Sequence, residues 1–108
     1  MTTPLTLDTA RGSDGRFVLV AEGEIDLSNI DAFNRALASA ATEATGGDGA
    51  LLVDLSAVEY LDSAAINTLA AHADSIELVA HPILMPVLRI SGLTELTSIE
   101  PAPPTAGQ

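Results

Sequence analysis

Cysteine is absent from the 108 residues, which removes disulfides, thiol nucleophiles and cysteine-based metal sites. Lysine is absent too. Fifteen acidic side chains stand against four arginines, for a formal net charge of -11. Such a surface repels phosphate backbones and anionic lipid, so direct nucleic-acid binding and membrane binding are not expected. With one Tyr, two Phe and no Trp, the core has to be assembled from Leu, Ile, Val and Ala. No apolar run approaches the ~20 residues of a membrane-spanning helix. The N-terminus lacks a basic segment followed by an apolar stretch, so no signal peptide is expected. A chain of this size forms one domain, and a cytoplasmic location is expected.

What is present is an alternation of β-rich and helical patterns. Leu5 to Asp8 reads as a short edge strand, and Arg11-Gly-Ser-Asp-Gly15 as a turn. Phe17 to Ala21 is a continuous apolar run and therefore a buried strand. Gly23-Glu-Ile-Asp26 leads into a helix that Ser28 caps, with Asp31 three residues on. Ile30, Phe33, Leu37, Ala40 and Ala41 supply its apolar stripe, and Asp31 and Arg35 are spaced as an outer-face pair. Leu51 to Leu55 is a second buried strand, which Ser56 ends. A helix from Ser63 to Ala73 turns Ile66, Leu69, Ala70 and Ala73 inward. Ile76 to Ala80 is a third strand, Pro82 to Ile90 a helix stopped by Gly92, and Leu96 to Ile99 a last short strand. Pro86 either kinks that last helix or starts it. The domain spans 1–100, and the Pro-rich stretch 101–108 is expected to be a disordered tail. Continuous apolar strands separated by helices predict a mostly parallel sheet, with right-handed crossovers placing the helices on one face.

The densest chemistry lies at Asp62-Ser63. A serine at a helix start sits where N–H groups point outward and the dipole is positive, so a phosphate attached there is stabilised locally. On local sequence alone the N-cap remains the favoured reading of Ser63. Asp62 reads equally as cap and as site residue, and Glu24 and Asp26 equally as turn closure and partner contact. His72 and His81 show no paired ligand spacing, and no metal site is expected. There is no Gly-x-Ser-x-Gly elbow, dinucleotide fingerprint or Walker loop. Gly46 and Gly47 precede a strand, the wrong order for cradling phosphate. Neither enzymatic activity nor a bound cofactor is expected. Ile83, Leu84 and Met85 are expected to pack against the sheet, with exposure of one of them as the minority reading.

Three stretches carry a family resemblance. Gly23-Glu-Ile-Asp26, Val53-Asp-Leu-Ser-Ala-Val-Glu-Tyr-Leu-Asp-Ser63 and Leu88-Arg-Ile-Ser-Gly-Leu93 resemble segments of the STAS domain of bacterial anti-sigma-factor antagonists. The resemblance implies an α/β fold, a mixed sheet of roughly four or five strands with helices mainly on one face. It implies a regulatory protein whose unphosphorylated form binds an anti-sigma serine kinase, frees a sigma factor and so controls transcription. A serine phosphatase resets it, and the free protein is a monomer. Residue by residue, Ser63 matches the phosphoacceptor, and Ala64 leaves it as the sole candidate. Glu24, Asp26, Asp62, Ser63, Ala64 and Ala65 fall on the implied partner surface. The family usually has glycine where Ala65 stands, and Ala73-Asp-Ser75 replaces a longer loop. Two alternatives stay open: a non-phosphorylated STAS accessory subunit of a transporter ATPase, and a small-ligand sensor with a pocket beside Ser63.

Overall fold

The computed structural model describes residues 4–12, 15–45 and 51–102. In chain order the regular elements are β1 (Thr6–Arg11), β2 (Phe17–Ile25), α1 (Ile30–Thr45), β3 (Leu51–Leu61), α2 (Ser63–Ala71), β4 (Ile76–Ala80), α3 (Met85–Ile90) and β5 (Ile99–Pro101), with single 3-10 turns at Ala73–Ser75, Pro82–Leu84 and Leu93–Glu95. The five strands form one sheet in the order β1-β2-β3-β4-β5. β1 is antiparallel to β2, and the remaining pairs are parallel. This is the expected mixed α/β sheet with its helices on one face.

The helix-covered face holds the core. Leu19, Ala21 and Ile25 of β2, Leu51, Val53 and Leu55 of β3, and Ile76, Leu78 and Ala80 of β4 are all buried there. α1 lays Phe33, Leu37, Ala40, Ala41 and Ala44 onto them, a stripe at helical spacing. α2 adds Ala65 and Leu69, and α3 adds Met85 and Leu88. Phe33 is the aromatic at the centre of this aliphatic core.

The strands differ from their sequence reading in two ways. Continuous apolar runs imply burial on both faces, yet Val18, Val20, Leu52 and Val79 are only half-buried, because they point away from the helices. The central pair is also longer than expected. β2 runs on through Gly23-Glu-Ile25 and β3 through Leu61, so Ser56 does not end the strand. Two register shifts make this possible, between Val20 and Glu22 and between Gly23 and Glu24. Such bulges absorb an extra residue and sharpen the twist. Gly23 adopts φ 107° at the second one, a conformation that disfavours other residues.

Helix boundaries shift for equally local reasons. α1 opens at Ile30 rather than at Ser28, because residues 26–29 form a turn closed by the Asn29 amide bonding to the Asp26 carbonyl. The Arg35 Nε reaches the Asp31 carbonyl oxygen at 3.4 Å instead of its carboxylate. α2 stops at Ala71, and Ala73–Ser75 is a separate 3-10 turn. Pro82–Leu84 is a 3-10 turn, and Pro86 occupies the first turn of α3, where its missing N–H costs nothing. Gly92 follows at φ 85°, the left-handed conformation that ends a helix. Leu84 and Met85 are buried, whereas Ile83 is 62% exposed. The last strand lies at Ile99–Pro101 rather than Leu96 to Ile99, and the expected tail falls mainly on 103–108, outside the described residues.

Candidate functional site

β3 pairs with β4 only as far as Leu55 opposite Ala80, then continues against β2 alone. The β2–β3 ribbon therefore runs on by roughly 13 Å beyond that point, counted along β2 from Ala21 to Ile25 at about 3.3 Å per residue. Its tip pairs Glu24 with Tyr60 and Ile25 with Leu61. Asp62 follows at once, and α2 turns back from it over the core. The C-terminal ends of the parallel strands, where α/β proteins collect function, thus carry Glu24, Asp26, Asp62 and Ser63 together.

Asp62 is the hinge of this corner. Its Oδ1 accepts the Ala65 N–H at 3.0 Å, the N-cap bond of α2. Its Oδ2 accepts the Leu27 N–H at 2.9 Å, tying the turn after β2 to the start of α2. Its own N–H donates to the Ile25 carbonyl at 3.2 Å, and its carbonyl accepts from Ile66 at 3.1 Å. One carboxylate therefore closes the helix and fixes the neighbouring loop. That neighbouring loop, residues 26–29, is also held by its own side chains. Asp26 Oδ1 accepts the Ser28 N–H at 2.9 Å and the Ser28 hydroxyl. Asn29 Oδ1 accepts the Asp26 N–H at 3.0 Å, and Asn29 Nδ2 donates to the Glu24 carbonyl at 2.9 Å.

Ser63 is left over from this network. Asp62, not Ser63, is the N-cap, and Ser63 is the first helical residue. Ser63 is exposed, and among the described residues its hydroxyl makes no hydrogen bond. Ala64 is half-buried, and its carbonyl accepts the Thr68 hydroxyl at 3.0 Å. Ala65 is fully buried, so its methyl faces the core and only its backbone N–H contributes to the corner. Glu24 and Asp26 are half-buried at the rim. The corner is acidic, and Ser63 is exposed where Glu24, Asp26 and Asp62 are half-buried.

Two further residues of the corner escaped the sequence reading. Leu27 is 75% exposed and Tyr60 48% exposed, one on each side of Asp62 in the chain pairing. A leucine directly after Gly-Glu-Ile-Asp and the sole tyrosine of the chain were the available signals. Asn29, which welds the β2–α1 turn, was also missed.

Other candidates lie elsewhere. His72 Nε2 is 3.3 Å from Asn34 Oδ1, linking the end of α2 to α1. His81 Nδ1 accepts the Ile83 N–H at 3.0 Å and caps a 3-10 turn. Among the described residues no group of three or more His, Asp or Glu is arranged to hold a metal ion, and no helix is long and apolar enough to cross a membrane. A cavity of about 310 Å³ lies between β1, β2 and α1, lined by Leu7, Phe17, Leu19, Ala36 and Glu43 among others. It sits by the first residues of β2, the opposite end of the sheet from Ser63.

Comparisons with known proteins agree with this architecture. The family model described as "Mlab, STAS domain" matches residues 9–98. An anti-sigma factor antagonist from Mycobacterium paratuberculosis is similar in structure, with 27% identity, TM-score 0.78, and 98% of this chain and 92% of that chain covered. The anti-sigma factor antagonist SpoIIAA in its unphosphorylated form shares the fold at 16% identity and TM-score 0.62, over 92% of this chain and 90% of that one. An uncharacterised protein with a SpoIIAA-like fold from Shewanella loihica does so at 13% identity and TM-score 0.57, over 94% and 88%. No curated protein matches.

Proposed function

The chain belongs to the STAS domain family, and from that premise we propose that it is an anti-sigma-factor antagonist switched by phosphorylation of Ser63. STAS domains are regulatory and non-catalytic, so its work is docking. The docking surface is the corner formed by Glu24, Asp26, Leu27, Tyr60, Asp62 and Ser63. In the unphosphorylated state this corner binds a serine kinase that also sequesters a sigma factor, and binding releases the sigma factor. The kinase transfers the γ-phosphoryl of its ATP to Ser63 Oγ, ADP leaves, and the hydroxyl proton passes to the kinase or solvent. A serine phosphatase hydrolyses the ester and restores the binding form. The protein needs no cofactor of its own and acts as a monomer in the cytoplasm.

The observation that carries this reading is the division of labour at the helix start. Asp62 performs the capping, so the exposed Ser63 hydroxyl is not needed for the fold. A phosphate there adds about two negative charges beside the positive end of a helix dipole, which stabilises it without unfolding α2. The test is incubation with candidate anti-sigma kinases and ATP, followed by peptide mapping. The added phosphate is expected on Ser63 alone, and undiminished labelling of Ser63→Ala refutes the assignment.

A second reading keeps the corner and drops the chemistry. The exposed pair Leu27 and Tyr60 also suits constitutive docking on a transporter ATPase. Equal affinity of the unmodified protein and Ser63→Asp for the partner favours that reading.

A further inference from the structure

β2 to β5 form a parallel sheet, and such sheets are almost always covered on both faces. Among the described residues, helices cover one face only. The register writes a pattern across the bare face: Asp8 pairs with Val20, Val20 with Asp54, Asp54 with Val79 and Val79 with Glu100. Paired residues point to the same side of a sheet. The row therefore alternates acid, valine, acid, valine, acid over all five strands. Beside it, Val18 and Leu52 widen the apolar strip. None of these aliphatic side chains belongs to the core or packs against it. Among the described residues none of the three carboxylates in the row has an ion pair, and Arg16 reaches the neighbouring Glu77 at 2.7 Å.

We propose that this open sheet face is a second docking surface, and that its occupant is a basic amphipathic helix of a partner protein. Charge selects the occupant. A second copy would bring an identical acidic row against this one, and polyanions are repelled for the same reason. The chain itself offers only four arginines, so a basic segment has to come from outside. Spacing selects its form. Strands lie about 4.8 Å apart, so alternate acids in the row are about 9.6 Å apart. A helix rises about 1.5 Å per residue, so basic residues roughly seven apart meet successive carboxylates, with leucines midway between them over Val20 and Val79. The bound helix supplies the missing layer of the sheet. This surface is separate from the corner at Ser63, and its occupation does not depend on the phosphorylation switch.

The probe is a synthetic helical peptide with arginines about seven residues apart and leucines between them, with a scrambled peptide of the same composition as control. It is titrated into the isotopically labelled full chain and followed by amide shifts. The expected result is shifts centred on Val18, Val20, Leu52 and Val79, with the scrambled peptide binding at least about tenfold more weakly. The combined Asp8→Asn and Glu100→Gln substitutions, both at exposed positions, are expected to weaken the peptide by several-fold while leaving kinase affinity unchanged. Ser63→Asp is expected to leave peptide affinity unchanged, which separates failure of this surface from failure of the switch. Absence of binding, equal binding of the scrambled peptide, or shifts confined to α3 or to the Ser63 corner overturns the proposal. Sedimentation showing self-association through the same valines overturns it in favour of a second copy.

Discussion

Removing the Asp62 carboxylate should uncouple the corner from the fold. In Asp62→Ala, α2 loses its N-cap and the turn after β2 loses its link to α2. An Asp cap contributes about 1 kcal/mol. A hydrogen bond from a backbone N–H to a charged acceptor contributes about 1.5 kcal/mol or more, which partial exposure of both groups reduces to about 1. The expected loss is therefore about 2 kcal/mol, and at about 4 °C per kcal/mol the melting temperature should fall by about 8 °C. Asp62→Asn should fall between, because one carboxamide oxygen can serve Ala65 or Leu27 but not both, and its NH₂ would face the other donor. Ser63→Ala should change stability by less than about 0.5 kcal/mol, as an exposed substitution that removes no bond. Urea unfolding of the four proteins, with unchanged m-values as the check on two-state behaviour, measures the free-energy changes, and thermal melts measure the shift in melting temperature. The reasoning fails if Ser63→Ala costs as much as Asp62→Ala, since the serine would then be the cap, or if Asp62→Ala is neutral.

Phosphorylation of Ser63 should leave the amide spectrum unchanged beyond the corner while weakening kinase binding about ten- to a hundredfold, equivalent to about 1.4 to 3 kcal/mol; Ser63→Asp should reproduce part of that loss by calorimetry, and equal affinities would reject the switch. With a net charge of -11, the chain should show no DNA or RNA binding at physiological salt. Its association with a basic patch on the kinase should slow as salt rises, and salt-independent kinetics in stopped flow would point to an apolar contact instead. Leu88→Ala should cost about 2 to 5 kcal/mol because Leu88 is fully buried in α3. Ile90→Ala on the same helix, at a position 87% exposed, should be nearly neutral by thermal unfolding.

The strand and helix order was readable because each element repeats a period. Ile30, Phe33 and Leu37 mark a helix by spacing alone, and the runs at Phe17, Leu51 and Ile76 mark strands. What was not readable depends on pairing between distant segments. Nothing near Ser56 announces that β3 continues to Leu61. The continuation exists because β3 takes up an extra residue at each of two register shifts and so stays paired with β2 past Gly23. The face of a strand is hidden for the same reason. Val18 and Leu19 are equally apolar, and only the placement of α1 decides which is buried. At the corner, Asp62 and Ser63 were both visible as helix-start residues, but which one caps is a matter of geometry. The Leu27 amide, 35 residues away, completes the assignment by using the second oxygen of Asp62.

That geometry also bears on why a phosphate at Ser63 would release a partner rather than attract its cations. Both Asp62 oxygens are already engaged by backbone N–H groups, and Asp26 is engaged by Ser28. Two of the corner's carboxylates therefore already have hydrogen-bond donors before a partner arrives, and docking does not require each to find a cation. A phosphate has three acceptor oxygens and about two charges, and the helix start can satisfy only part of that demand. Transfer requires the nucleotide's γ-phosphorus within roughly 3 to 3.5 Å of Ser63 Oγ. Under the proposed switch the product phosphate would form against the remaining diphosphate in the kinase, like charge beside like charge in a dry contact. Repulsion there is stronger than on the open surface, where salt screens beyond about 8 Å. The proposed switch would thus need no conformational change in this domain. It needs a serine held at a fixed point that the fold does not otherwise use, and Asp62 provides that by doing the capping itself.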